Sequence, residues 1–165
     1  MMSHLRELYQ EMILDHGRNP RHHHTMPLAN RLAHGFNQIC GDRLTVYLKI
    51  DHGKIKAISF QGSGCAIAIA SASLMSEILS GKTCKEAETC FERFHQLLTR
   101  ELTTAEQLQD LEKLAVFAGV KAYPARVKCA TLAWHTLLAA LKQNQSLVST
   151  ESSSLLSYDH TLSAE

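Results

Sequence analysis

The chain has 165 residues, 45% of them hydrophobic and 20% charged, with 17 Lys and Arg against 16 Asp and Glu. That length suits one domain, and the apolar share suffices for a compact core. The formal net charge of +1 argues against a nucleic-acid footprint and a polybasic membrane surface, since both need clustered excess charge. No apolar run approaches the ~18 residues of a membrane span. The opening Met1-Met2-Ser3-His4-Leu5-Arg6-Glu7 enters a charged amphipathic pattern rather than a signal-peptide core. A cytoplasmic chain is therefore expected. Five cysteines, odd in number and widely spaced, argue against a disulfide framework and for reduced thiols.

Leu5, Leu8, Tyr9, Met12 and Ile13 recur at helical spacing. They predict an amphipathic helix capped by Ser3 and ending near Asp15-His16-Gly17, with Asn19-Pro20 as the break. Residues 17–38 are irregular. The run His22-His23-His24 offers three imidazoles, but loop neighbours point apart, so a solvated loop is the plainer reading than a metal site. A first strand fits within 31–38. Leu44, Val46, Leu48 and Ile50 then alternate, Asp51-His52-Gly53-Lys54 makes a tight turn, and Ile55 to Phe60 returns. Residues 44–60 thus read as a β-hairpin.

Gly62-Ser63-Gly64-Cys65 precedes a small-residue helix from Ala66 to about Leu79, stopped at Gly81. Cys65 at its start meets unpaired amides and the positive dipole end, which favour a thiolate. Thr83-Cys84-Lys85-Glu86 has capping-box spacing and opens a helix carrying Cys90, Phe91, Phe94, Leu97 and Leu98. Cys84 and Cys90, six apart on that helix, face differently and read as packing residues. Thr103 to Gly119 predicts a further helix. Pro124 suits the first turn of the last one, which runs to about Lys142 with Cys129 near its start. The domain is placed at 1–143. Residues 144–165, polar and rich in Ser, read as a flexible tail.

The chemistry concentrates at Cys40-Gly41-Asp42-Arg43, where a thiol and a carboxylate flank a glycine. Cys40, Cys65 and Cys129 can supply three soft donors to a four-coordinate ion, with Asp42 as the fourth. Such a set is strongly negative, and Arg43, Arg126 and Lys128 stand next to ligands in sequence. The harder carboxylate oxygen makes the site labile, as delivery requires. There is no Cys-x-x-Cys pair, so spacing alone leaves two readings open: converging ligands, or buried incidental cysteines.

Four stretches together resemble the NifU/IscU family of iron–sulfur cluster assembly proteins, and within it the SufU branch. They are Leu8-Tyr9 through Ile13-Leu14-Asp15-His16 with Asn19-Pro20-Arg21; Cys40-Gly41-Asp42-Arg43; Phe60 to Ile67 with Ala70-Ser71-Ala72-Ser73; and Arg126 to Trp134. Lys128 stands directly before Cys129, where IscU-like proteins carry histidine. The segment 99–122 corresponds to an extra helical insertion in SufU-like proteins.

The resemblance implies an α+β fold of SufE/NifU type, a small antiparallel sheet of about three strands with four to five helices packed on it. It implies Cys40, Asp42, Cys65 and Cys129 as Zn2+ ligands and Cys40 as the catalytic sulfur acceptor. The partners it implies are a SufS-type cysteine desulfurase and a downstream iron–sulfur assembly scaffold. Two alternatives use the same four residues. One is a scaffold holding a transient [2Fe–2S] cluster. The other is a structural zinc domain that binds partners without chemistry.

Overall fold

The computed structural model describes residues 2–100, 111–142 and 147–149. It runs α1 (Met2–Arg18), β1 (Arg31–Asn37), β2 (Asp42–Asp51), β3 (Lys54–Ser63), α2 (Ala66–Leu79), α3 (Cys84–Thr99), a 3-10 helix (Glu112–Ala122), α4 (Pro124–Leu141) and β4 (Leu147–Ser149). The α+β architecture is the expected one. Helix α1 begins at Met2, so Ser3 lies inside it rather than capping it. Among the described residues no helix is long and apolar enough to cross a membrane.

The sheet order is β3-β2-β1-β4. The β1–β2 and β2–β3 pairs are antiparallel. His52 and Gly53 are both left-handed, with φ 51° and 74°, which is the two-residue turn that matches strand twist. Alternation puts Leu44, Val46 and Leu48 on one buried face, beside Ile58 and Phe60 from β3 and Ala33 from β1. Strand β4 pairs with β1 in parallel. It falls within the stretch read as a tail; the remaining tail residues lie outside the described ones.

Helices α2 and α4 lie on that face. Both are buried along most of their length, and the Ala and Ser positions of α2 allow close approach. Trp134 on α4 donates its indole N–H to Ser71 Oγ at 3.1 Å, and Ser71 donates to the Ala130 carbonyl at 2.6 Å. These bonds satisfy polar atoms that burial would otherwise penalise. Phe94 of α3 packs against Trp134 and Phe117 at 5.1 and 5.7 Å.

Gly35 sets how α4 meets the sheet. A Cβ there would run into the Thr136 hydroxyl and crowd Leu132. With hydrogen in its place, β1 slides under α4. That contact fixes the helix along the strand, so Cys129, two turns before Thr136, arrives beside Asn37 at the strand's end.

The helix expected from Thr103 to Gly119 is corrected in part. Its start lies outside the described residues. Its second half winds as a 3-10 helix and continues past Gly119 to Ala122. Leu111, Leu114, Phe117 and Val120 are all buried. Their three-residue spacing aligns on one face only at three residues per turn.

Candidate metal centre

The β1–β2 register pairs Asn37 with Asp42, so residues 38–41 form the connection and carry Cys40 at its tip. The Gly41 N–H donates to the Asn37 carbonyl at 2.8 Å, closing that turn. On the other side of Asp42, β3 ends at Ser63 and hands the chain through Gly64 to Cys65, the N-cap residue of α2. Cys129 enters from α4. Three elements therefore deliver the residues that the sequence singles out.

Cys129 and Cys40 lie sulfur to sulfur at 2.9 Å. One donor atom each from Cys40, Asp42 and Cys129 fall within 4.8 Å of one another. The Cys65 and Cys129 thiols hydrogen-bond to each other. The Cys65 backbone N–H donates to Asp42 Oδ1 at 2.8 Å. Asp42 and Cys129 are fully buried, while Cys40 and Cys65 remain half-buried. Two thiols and one carboxylate oxygen, from Cys40, Cys129 and Asp42, lie close enough together to share one metal ion, and Cys65 adjoins them through its hydrogen bond to Cys129.

Gly64 makes room for the carboxylate. A Cβ there would lie 2.6 Å from Asp42 Oδ1, so a side chain would displace the oxygen that Cys65 holds.

Asn37 escaped the sequence reading. It is almost fully buried. Its Nδ2 donates to Asp42 Oδ2 at 3.3 Å and to Cys129 Sγ at 3.5 Å. Its Oδ1 accepts the Ile39 N–H at 3.2 Å. One amide thus orients the carboxylate, a sulfur and the Cys40 turn. No motif spacing marks it, because its role follows from strand register.

The thiols share charge unequally. The hydrogen bond from Cys129 brings the Cys65 thiol down to about 6, against the pull of burial, and the Ala68 and Ile67 amides at the start of α2 add to the lowering. Cys129 moves the opposite way, held protonated by its bond to Cys65 and by burial. Without a cation, then, the pair favours one thiolate and one thiol.

Of the three cations expected nearby, Arg126 faces the sulfurs. Cys65, Cys129 and Cys40 all hold its guanidinium more firmly charged. Arg43 instead lies over the Phe36 ring, 5.9 Å from its centroid, and Lys128 is half-buried on α4.

The remaining candidates stand apart. His22 Nδ1 meets Ser76 Oγ, His23 stacks on Phe60, and His24 Nδ1 meets the Thr25 carbonyl, so the three imidazoles diverge. Cys84 is half-buried at the start of α3 with its thiol pushed up by burial. Cys90 packs against the core.

Residues 8–130 match the NifU-like N terminal domain family. The chain belongs to the NifU/IscU family. Its relatives place it with the SufU type there. It is 34% identical over 143 residues to the iron-sulfur cluster assembly scaffold protein IscU of Streptococcus pyogenes, covering 87% of this chain and 88% of the relative. It is 35% identical over 131 residues to the zinc-dependent sulfurtransferase SufU of Bacillus subtilis, covering 79% and 86%. A crystal structure described as a putative iron-sulfur cluster assembly scaffold protein for the SUF system, from Fervidobacterium islandicum, superposes with a TM-score of 0.74 at 35% identity. It covers 82% of this chain and 97% of that one.

Proposed function

We propose that this protein serves iron–sulfur cluster assembly as a zinc-dependent sulfur acceptor. It takes sulfane sulfur at Cys40 from a SufS-type cysteine desulfurase and passes it to a downstream scaffold. The observation that carries this reading is the asymmetry of the site. Cys129 is fully buried on a helix and Asp42 on a strand, whereas Cys40 is half-buried on the short connection between β1 and β2. Of the two half-buried thiols, Cys65 belongs to the N-cap residue of α2, whose backbone N–H is held by Asp42, so Cys40 on the connection is the one whose movement disturbs the fold least.

Zn2+ held by Cys40, Asp42, Cys65 and Cys129 would keep the thiols deprotonated at neutral pH. The chain's own residues do the rest. The Cys40 thiolate attacks the outer sulfur of the donor's cysteine persulfide. A new S–S bond forms on Cys40, the donor's S–S bond breaks, and the donor cysteine leaves as a thiolate. No net oxidation occurs. Arg126, facing the three sulfurs, offsets the negative charge that accumulates as a second anionic group approaches. Asn37 and Gly64 keep Asp42 and Cys129 in place while Cys40 reacts.

The Cys40→Ala variant tests this. With a purified SufS-type desulfurase, the wild-type protein is expected to raise cysteine turnover and to gain labelled sulfur. The variant is expected to do neither. Undiminished stimulation by Cys40→Ala would remove the acceptor role.

A second reading has its own support, since the relative with the broadest coverage cited above is named a scaffold. The four residues would then hold a transient [2Fe–2S] cluster as cargo. Protein purified without added metal separates the two. Colourless, near-stoichiometric zinc favours transfer, and a brown protein that passes its cluster to an apo-ferredoxin favours scaffolding.

A further inference from the structure

Beside the metal centre lies a groove of about 1140 Å3 between α1, the start of α2 and the 3-10 helix. Ile13 and Leu14 form one wall, Val116 and Val120 the other, and Ile67 the floor near Cys65. Its volume exceeds that of an ordinary small-molecule pocket. Among the described residues lining it, Lys121 and Arg126 bear the only charges, and both are positive. Arg126 is also the guanidinium that faces the sulfurs, so the groove and the metal centre are continuous.

Exposed apolar side chains mark the same region. Leu14 is 45% and Tyr123 64% exposed at the groove, and Ile39, next to Cys40 in the chain, is 60% exposed. Large apolar residues gathered in this way around a basic spot mark an interaction surface rather than a solvated face.

We propose that this groove docks an apolar segment of the sulfur-donor protein that carries a carboxylate for Lys121 and Arg126, and so delivers the donor cysteine to Cys40. The inference rests on the sulfur-acceptor reading above, because it names where that donor binds. The occupant's chemistry follows from the walls. Aliphatic side chains bury against Leu14, Ile67 and Val120. Among the described residues lining the groove none is a carboxylate, so an acid on the segment that meets the two cations fixes its register. A segment anchored there ends at Arg126, beside the thiols.

The test measures binding of a purified SufS-type desulfurase to the zinc-loaded protein and follows labelled sulfur in the same mixture. Leu14→Glu and Lys121→Glu are compared with wild type and with Lys49→Glu, an exposed position on the opposite sheet face. Retained zinc and an unchanged far-ultraviolet spectrum establish that each variant is folded. The groove variants are expected to weaken binding about tenfold each, whereas Lys49→Glu binds as wild type does. Unchanged binding by both groove variants overturns the groove while leaving sulfur acceptance intact. Weakened binding by those variants, with no labelled sulfur reaching the wild-type protein, upholds the groove and overturns the acceptor reading. A wild-type protein that does not bind the desulfurase overturns both.

Discussion

At Asn37, one buried amide serves three clients: a carboxylate, a sulfur and the turn that carries the reactive thiol. Metal sites depend on such outer contacts because ligands must be aimed before an ion arrives. Removing the amide leaves Asp42 Oδ2 and Cys129 Sγ without that donor, while the strand pairing around them is untouched. Asn37→Ala is therefore expected to stay folded and to lose about 10–100-fold in zinc affinity, measured by competition with a chromophoric chelator. An unaltered affinity would reduce Asn37 to a packing residue. The residue-level chemistry was only half legible in the chain. Cys40, Asp42, Cys65 and Cys129 carry donor atoms that announce themselves. Asn37 and Gly64 matter through register and proximity, which no linear spacing displays.

At the scale of elements, the end of α1 is fastened to α2 by polar contacts inside the fold. His16 Nδ1 meets Ser73 Oγ at 2.7 Å, and the Arg21 N–H donates to the same hydroxyl at 2.8 Å. Gly17 lies close against Ala66, the residue after Cys65, so this clasp holds the helix that presents Cys65. Burial, and then the nearby Arg21 charge, push the His16 pKa down, while Glu77 and Asp15 pull it partly back. The folded state thus binds fewer protons at His16 than the unfolded chain does. Stability from this group is complete above the unfolded value of about 6.5 and is lost as pH falls below it. Denaturant unfolding across that range is expected to show a shallower decline for His16→Gln than for wild type. Parallel declines would place the acid sensitivity elsewhere.

Local rules made several elements readable. Thr83 and Glu86 cap α3 reciprocally at 3.0 and 2.9 Å, as their spacing requires, and the His52-Gly53 turn follows from strand alternation on both sides. Leu111 and Leu114 suit an α period and a 3-10 period equally. Phe117 and Val120 extend the three-residue repeat that decides it. Strand β4 depends on a parallel partner far away in the chain, and a three-residue strand has no period of its own to detect.

For the molecule as a whole, the question is whether the metal builds the fold or only uses it. The largest fully buried side chains, among them Trp134, Phe60, Phe94, Phe117 and Leu74, form one core between the sheet and the helices. That core does not run through the cluster of thiols, which sits at one end of β1 and β2. A zinc domain without such a core unfolds when its metal is removed; a chain of this length has enough buried apolar surface to fold without one. Bound zinc still stabilises the native state by mass action, about 4 kcal/mol when free metal stands at 1,000 times its dissociation constant. In a domain of this size that corresponds to a fall in Tm on the order of 10 °C on chelation. Calorimetry with and without chelator is expected to show this fall, with a cooperative transition remaining in both. A flat trace after chelation would make zinc a structural requirement. It would also count against the sulfur-acceptor reading, because a site that is needed for folding cannot release Cys40 cheaply to meet a donor.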